Sequence, residues 1–257
     1  LLHDIMVSIG RSGKATPFAV LEPVFVGGST VRMATLHNQD QVRQKDVRPG
    51  DHVIVRKAGD VIPEVVGPVL SLRPPGLAEW VFPTACPECG APLQRAVGES
   101  DTYCTGQACP KQWEQQIVYF ASRGCMDIEG LGERTVKLFM DAGLVRDVSD
   151  IYFLDYERIR AFEGFGEVSI QNLRNGIEAS KQRPLANLLT GLGIRHLGAT
   201  GARLLAAGFG HLDPIMAGTE EQIAAVEGTF AWWRVFARRA SICRGRRRAR
   251  WNRLLPV

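Results

Sequence analysis

Four of the six cysteines form two close pairs. Cys86 and Cys89 have two residues between them, Cys104 and Cys109 have four, and fourteen residues separate the pairs. Four thiolates in two chelating pairs satisfy tetrahedral Zn²⁺ and leave no open coordination position, so the predicted metal is structural. Two disulfides or four unconnected thiols are the alternatives, but the length and ordinary composition of the chain argue against a secreted disulfide scaffold. A segment this small is expected to need the ion to fold.

A glycine-containing unit recurs three times, and its final glycines lie 34 and 32 residues apart. The copies read Ile128-Glu-Gly130-Leu-Gly132, Phe162-Glu-Gly164-Phe-Gly166 and Ile194-Arg-His196-Leu-Gly198. The pattern is typical of a helix-hairpin-helix, in which glycines let the backbone approach a phosphate and the next helix offers free N–H groups. Contacts of this kind do not depend on base sequence.

These repeats predict DNA-backbone binding at the hairpin glycines, namely Gly130, Gly132, Gly164, Gly166 and Gly198. His196 replaces a glycine in the third copy, so that hairpin is expected to bind weakly or to serve packing alone. The alternative is that the glycines only end helices in a bundle. Three copies in register favour DNA binding over that alternative.

The turn at residues 10–13 reads Gly-Arg-Ser-Gly. It offers the cation of Arg11 and the hydroxyl of Ser12 on a flexible backbone, a combination suited to phosphate.

A second turn segment spans residues 56–63 and reads Arg-Lys-Ala-Gly-Asp-Val-Ile-Pro. Arg56 and Lys57 precede the glycine, and Val61 and Ile62 follow it. If exposed, the two apolar side chains could press into a minor groove. Their chemistry alone favours the simpler interpretation that they enter the next strand.

The elements that must carry these groups change in type along the chain. Residues 1–72 alternate apolar runs with Gly and Pro breaks, which predicts strands near 5–9, 18–23, 29–35, 52–57 and 65–72. Such strands suit a small barrel, of the OB or the SH3-like type. A Pro-rich connector and the cysteines occupy 73–112, and 113–228 has helical periodicity. The predicted fold class is therefore multidomain α+β: a small OB-type β-barrel, a four-cysteine zinc finger and an all-α helix-hairpin-helix domain.

The net charge of +4 arises from the C-terminal end. Residues 229–257 contain nine Arg and no Asp, Glu or Lys, which leaves 22 basic and 27 acidic residues in the rest of the chain. DNA binding must therefore rest on local geometry and not on overall charge. The fourth copy of the repeat begins in register and fails at this segment, so we interpret 229–257 as a disordered or frameshifted tail. A basic arm for DNA is the competing interpretation.

The motifs of residues 4–228 resemble those of the bacterial NAD-dependent DNA ligases. The resemblance rests on Ile9–Gly13, Leu21–Val24, Ala34–Asn38, Arg56–Pro63, the four-cysteine element with Gln112, and Gly193–Gly198, which occur in the family's order. It implies that Arg11 and Ser12 contact DNA near a nick and that Val61 and Ile62 pack in the minor groove. Arg56 and Lys57 fall in the same DNA-contacting motif, with Lys57 where the family usually has Arg, which forfeits bidentate phosphate geometry.

The resemblance also implies a role in joining 3′-OH and 5′-phosphate ends at nicks during replication and repair, with NAD and Mg²⁺ serving the complete enzyme. None of the six lysines lies in the family's nucleophilic Lys-x-Asp-Gly motif. We therefore expect no catalytic residue, NAD or Mg²⁺ in this chain, and an adenylation domain as its partner around nicked duplex DNA. A stand-alone DNA-binding protein and a nonfunctional gene remnant are the alternatives.

The chain starts Leu-Leu-His-Asp, with neither an initiator Met nor a signal-peptide profile, so we expect a preceding portion. It contains no run of eighteen apolar residues, which predicts no membrane span. The expected location is the cytoplasm, with the nucleoid.

Overall fold

The computed structural model describes residues 1–59, 61–194 and 197–226. The Arg-rich segment 229–257 and His196 lie outside these ranges, and so do the predictions made for them. The chain divides into two compact units, Leu1–Gln112 and the part from Trp113 onward.

Five strands of the first unit close into a barrel. They are β1 (Leu2–Ile9), β2 (Lys14–Val26), β3 (Ser29–Thr35), β4 (Val53–Ala58) and β5 (Ile62–Pro68). β1 pairs antiparallel with β2, β2 with β3, and β4 with β5, whereas β3 and β5 are parallel. Backbone hydrogen bonds of 2.8 Å join Leu2 to Gly50 and Asp51, which brings the start of β1 to the segment before β4. This is the Greek-key order of an OB barrel, so the predicted OB fold is confirmed.

Alternation explains why these segments form strands. In β2, Ala15, Pro17, Ala19 and Leu21 are buried, and the residues between them are only partly buried. A period of two places one set of side chains in the barrel interior and the other outside. The predicted strand at 65–72 is instead β5, which begins at Ile62, followed by a short 3₁₀ turn at Leu70–Leu72. Proline has no N–H for the ladder, which is consistent with a strand that ends at Pro68.

Helix α1 (Gln39–Lys45) connects β3 to β4 and was not predicted. The side chain of Asn38 caps its N-terminus by accepting a 2.9 Å hydrogen bond from the backbone N–H of Gln41. Asp46, in the left-handed region at φ 46°, ends it. The seven-residue helix buries only Val42, so it carries almost no apolar periodicity.

The connector after the barrel is held by Arg73. Its guanidinium donates two hydrogen bonds of 2.7 and 2.8 Å to the buried carboxylate of Asp51 and one of 2.6 Å to Asp46. The hydrogen bonds with Asp51 and then Asp46 raise the pKa of Arg73. Hydrogen bonds from Arg48 and then from Arg73 lower the pKa of Asp46. A bidentate Arg–carboxylate pair fixes geometry as well as charge, so the chain leaves the barrel in a defined direction.

A short hairpin follows, made of β6 (Leu93–Gln94) and β7 (Thr102–Cys104). β7 also pairs with β2, Lys14 opposite Tyr103 and Ala15 opposite Thr102, so the hairpin extends the barrel sheet.

The second unit is helical. Helix α2 (Pro110–Ala121) begins in the first unit and is followed by α3 (Glu133–Asp141), α4 (Tyr156–Arg160), α5 (Glu167–Ser180), α6 (Leu185–Gly191), α7 (Ala199–Phe209), α8 (Leu212–Ala217) and α9 (Glu220–Ala224), with a 3₁₀ turn at Asp150–Phe153. Its core contains the fully buried rings of Phe120 and Phe139 and a set of Ile and Leu side chains from nearly every helix. No helix within the described ranges has the length and apolar character needed to cross a bilayer.

Candidate nucleic-acid interface and metal centre

The four paired cysteines converge. The sulfurs of Cys86, Cys89, Cys104 and Cys109 all lie within 4.8 Å of one another, and those of Cys89 and Cys104 are 3.6 Å apart. No disulfide joins them. A tetrahedral Zn²⁺ with Zn–S bonds of about 2.3 Å needs sulfurs about 3.8 Å apart, so the arrangement fits a structural zinc ion and leaves no open position.

The protein environment disfavours thiolates at two of these positions. Burial raises the pKa of the Cys104 thiol to about 12 and also raises the pKa of Cys109. The pKa of Cys89 is lowered, first by the backbone N–H of Ala91. A coordinating Zn²⁺ supplies the positive charge that keeps buried sulfurs deprotonated, so the donor set is suited to a metal rather than to reactive thiols.

Glycines allow the backbone to wrap this closely. Gly90 turns the chain behind the first pair at φ 71°, and its N–H donates to the Cys86 carbonyl at 2.9 Å. At Gly106 a Cβ would lie 2.8 Å from the Cys89 sulfur and 3.0 Å from the Ala91 Cβ. Gly106 is therefore required by space and not by its backbone angle.

The metal module is joined to the barrel turn that carries Arg11 and Ser12. The Cys104 N–H donates a 2.8 Å hydrogen bond to the carbonyl of Gly13. Gly13 has φ 84°, and a Cβ there would lie 3.0 Å from the Cys104 oxygen and 3.2 Å from the Gln112 side chain. Both Arg11 and Ser12 are exposed. The turn is therefore held through Gly13, while the side chains of Arg11 and Ser12 remain accessible to a ligand.

Gln112 completes this junction and was not predicted as a site residue. Its amide donates to the carbonyls of Cys104, at 3.4 Å, and Gly106, at 3.3 Å. Lys14, the first residue of β2 after this turn, forms an ion pair of 2.7 Å with Asp101.

The end of the β4–β5 hairpin exposes its apolar residues. Val61 is 75% exposed and Ile62 is 57% exposed, although Ile62 is the first residue of β5. Ile62 thus begins the next strand, as the simpler interpretation of this turn has it, but neither side chain lies in the barrel core. Asp60, between Gly59 and Val61, lies outside the described residues.

Arg56 is held by a carboxylate that the sequence analysis did not single out. Glu64, directly across the β4–β5 ladder, accepts a 2.5 Å hydrogen bond from Arg56 Nε and one of 2.8 Å from His37 Nε2. The hydrogen bond from Arg56, and after it the one from His37, lowers the pKa of Glu64. Arg56 remains 68% exposed, so its terminal nitrogens can still reach a ligand while Nε is bound. No local motif marks Glu64, but its place opposite Arg56 in a hairpin register could have indicated it.

Lys57 makes a contact that its position in the motif does not predict. Its Nζ donates to the Gly27 carbonyl at 2.9 Å, and a Cβ at Gly27 would lie 3.3 Å from the lysine side chain.

The hairpin glycines of the helical unit face solvent. Gly130 and Gly164 adopt φ 90° and 88°, and a Cβ at any of the five predicted glycines would meet nothing within 4 Å. All five are exposed: Gly130, Gly132, Gly164, Gly166 and Gly198. The apolar residues between them, Leu131 above all, turn into the core.

Each hairpin leads directly into a helix. Gly132, Gly166 and Gly198 are the N-caps of α3, α5 and α7, and none of these caps has a side-chain hydrogen bond. The first-turn N–H groups of these helices therefore lack capping side chains and carry the positive end of the helix dipole.

An OB barrel, a four-cysteine metal module and repeated helix-hairpin-helix corners define a modular protein of the nucleic-acid-binding class. Family comparisons agree. Residues 1–76 match the model of the NAD-dependent DNA ligase OB-fold domain, and residues 85–110 match the NAD-dependent DNA ligase C4 zinc finger domain. Residues 125–179 match the SAM-like helix-hairpin-helix tandem, and 187–229 match the helix-hairpin-helix motif. The chain thus carries the OB-fold and C4 zinc finger domains of NAD-dependent DNA ligases, followed by helix-hairpin-helix segments.

Curated relatives give the same result. The chain is 50% identical over 228 residues to a DNA ligase of Chloroflexus aurantiacus, which covers 88% of this chain and 32% of that protein. It is 51% identical over 228 residues to a DNA ligase of Frankia casuarinae, with the same shares. A DNA ligase 2 of Deinococcus deserti is 48% identical over 228 residues, 89% of this chain and 33% of that one. The chain therefore spans about a third of the length of these relatives.

Proposed function

We propose that this chain binds and clamps duplex DNA at nicks, as the DNA-binding portion of an NAD-dependent DNA ligase. The exposed glycine corners carry this proposal. They sit at three helix N-termini without side-chain caps, and the apolar residue of each hairpin is turned inward. Backbone N–H groups in this arrangement suit phosphate oxygens and need little side-chain charge, which is consistent with a body richer in acids than in bases.

In this proposal Gly130, Gly132, Gly164, Gly166 and Gly198 approach the sugar–phosphate backbone. Acidic residues begin two of the helices, but each is already engaged: Gln115 donates to Glu133 at 3.2 Å, and Arg160 donates to Glu167 at 3.0 Å. The first turn of α7 has no acid.

The barrel supplies the second set of contacts. Arg11 and Ser12 offer a cation and a hydroxyl to phosphate from a turn that the metal module fixes. Arg56 and Lys57 add positive charge, and Val61 and Ile62 enter the minor groove as a wedge. Their exposure is the observation that supports the wedge.

Nick sealing itself is proposed for the complete enzyme, which would join 3′-OH and 5′-phosphate ends with NAD and Mg²⁺ in replication and repair. No lysine of this chain lies in a Lys-x-Asp-Gly motif, so we propose that the chain alone does not seal nicks and acts beside an adenylation domain. Incubation with radiolabelled NAD and Mg²⁺ should leave no covalent AMP on the purified chain. A labelled chain would overturn this part.

Two further proposals follow from the same role. The chain works in the cytoplasm, at the nucleoid, where chromosomal duplex is found. Its functional modules are the barrel at 1–72, the zinc finger with its connector at 73–112, and the hairpin repeats at 113–228.

The test of DNA binding uses the full chain with its zinc content measured on the same sample. Fluorescence anisotropy should give tighter binding to a nicked duplex than to an intact duplex of the same sequence. The affinity should fall steeply with salt, because each neutralised phosphate contributes a slope of about −0.9 in log K against log salt. A folded, zinc-loaded chain that binds neither duplex at low salt would rule the proposal out.

A further inference from the structure

Two hairpin ends of the barrel are tied together. The β2–β3 hairpin turns at Gly27 and Gly28, with φ 51° and 82°, between the paired residues Val26 and Ser29. A two-residue hairpin turn with positive φ at both central residues favours glycine at both positions. Lys57, near the end of the β4–β5 hairpin, donates to the Gly27 carbonyl at 2.9 Å.

The β2–β3 hairpin end exposes an aromatic ring. Phe25 is 73% exposed, and Val24 beside it is 40% exposed. A ring left in water two residues from a tight turn contributes nothing to the barrel core, which lies at Ala19, Leu21 and Val31.

We infer that Phe25 is a further DNA contact, which enters the minor groove beside Val61 and Ile62, and that Lys57 positions it by bracing the two hairpin ends. The inference rests on the proposed DNA-clamping function and extends its interface to the β2–β3 hairpin. By this geometry Lys57 is a positioning residue in addition to a cation.

Continuity and charge identify duplex DNA as the occupant. Through Lys57 the Phe25 hairpin adjoins the exposed pair Val61 and Ile62, so the apolar side chains share one end of the barrel. Arg56 and Lys57 stand beside them, and the segment 24–30 has no acidic residue. Apolar side chains flanked by cations fit the minor groove, where the phosphates of two strands lie on either side.

The experiment compares Phe25→Ala with Phe153→Ala, a half-exposed Phe of the helical unit, by anisotropy on the same nicked duplex. Loss of a ring that DNA buries should weaken binding about five- to tenfold, whereas Phe153→Ala should stay within about twofold. Phe25→Ala should not change the salt slope, because it removes no charge. Hydroxyl-radical footprinting reports sugar exposure in the minor groove. The DNA positions that Phe25→Ala no longer protects should lie next to the positions that Val61→Ala no longer protects.

A double-mutant cycle tests the brace. Lys57→Met and Phe25→Ala should be strongly non-additive, because the first already releases the hairpin that the second truncates. Phe25→Leu should recover most of the affinity, which separates lost contact from lost folding, and zinc content and thermal unfolding are measured on every variant.

The outcomes separate the two proposals. If the unmodified chain binds nicked duplex but Phe25→Ala binds within twofold of it and leaves the same footprint, the inference about Phe25 is overturned and the proposed function stands. Additive effects of Lys57→Met and Phe25→Ala would overturn the brace. If the unmodified chain does not bind duplex at all, the proposed function fails and the inference fails with it.

Discussion

The backbone N–H of Cys104 donates a 2.8 Å hydrogen bond to the carbonyl of Gly13, so a metal ligand and the turn that bears Arg11 and Ser12 are directly connected. The same Cys104 ends β7, which pairs with β2. Ile9 and Ala15 of the barrel pack in one apolar cluster with Cys86, Cys104 and Cys109. The zinc finger is therefore a continuation of the barrel sheet and not an independent appendage.

Gly13→Ala should damage this junction. Alanine at φ 84° costs about 1 kcal/mol by its backbone alone, and the added Cβ would also crowd the Cys104 oxygen and Gln112. We expect a loss of about 2 to 3 kcal/mol in the free energy of unfolding and weaker DNA binding through Arg11 and Ser12. Urea unfolding and anisotropy measure the two effects.

Gly98→Ala is the matched control for Gly13. Its φ is also 84°, but a Cβ there meets nothing within 4 Å. It should show only the backbone cost of about 1 kcal/mol and unchanged DNA affinity. Equal effects of the two substitutions would contradict the role of the junction.

Gly106→Ala should weaken zinc binding about tenfold or more, as changes next to metal ligands commonly do. The cause is the 2.8 Å approach of a Cβ to the Cys89 sulfur, which would push one ligand out of place. Competition with a chromogenic chelator measures the affinity. Gly67→Ala adds a methyl group to open space in β5 and should leave zinc affinity unchanged; a similar loss in both variants would point to a general effect on folding.

Zinc removal should reach the barrel turn. Without the ion the four sulfurs lose their common partner, and the pairing of β7 with β2 loses its support. Hydrogen exchange should accelerate at the Cys104 amide on chelation, while the amide of Ala19, in the middle of β2, stays protected. Unchanged exchange at Cys104 would show that the hairpin holds its place without metal.

The hairpin corners should be sensitive to a single methyl group. Gly130→Ala and Gly164→Ala place alanine at φ 90° and 88°, and each should weaken DNA binding about fivefold because the corner must relax away from the phosphate. Gly143→Ala, at φ 70° after α3 and also with open space around the Cβ, is the control. Its DNA affinity should match that of the unmodified chain, and a comparable loss would remove the support for the corners as phosphate sites.

Glu64 should titrate below its usual pKa of 4.5, because Arg56 and then His37 stabilise its carboxylate. A carboxyl whose pKa is lowered in the folded state contributes stability above the unfolded value, and that contribution is lost as the pH falls through the folded pKa. NMR of the Glu64 carboxyl carbon should show the lowered value, and Arg56→Gln should raise it towards 4.5. No change in Arg56→Gln would mean that the ion pair does not form in solution.

The sequence by itself determined the features that depend on neighbouring residues. A chelating pair such as Cys86 with Cys89 is defined by its spacing, because two thiols on one tight turn can bind the same ion. The hairpin repeats are equally local, since the glycine corner and the helix that follows it form from a few consecutive residues. The strand at Ser29–Thr35 agrees with its prediction in both bounds for the same reason.

Only the tertiary structure decided which distant groups meet. Gly13 and Cys104, and likewise Lys57 and Gly27, are far apart in sequence and meet only when the barrel closes. Helix α1 buries a single side chain and forms where the barrel needs a connection, so its sequence carries little signal. The exposure of Ile62 was likewise beyond local chemistry, because an apolar residue at a strand end is in the core or in solvent according to the face it takes.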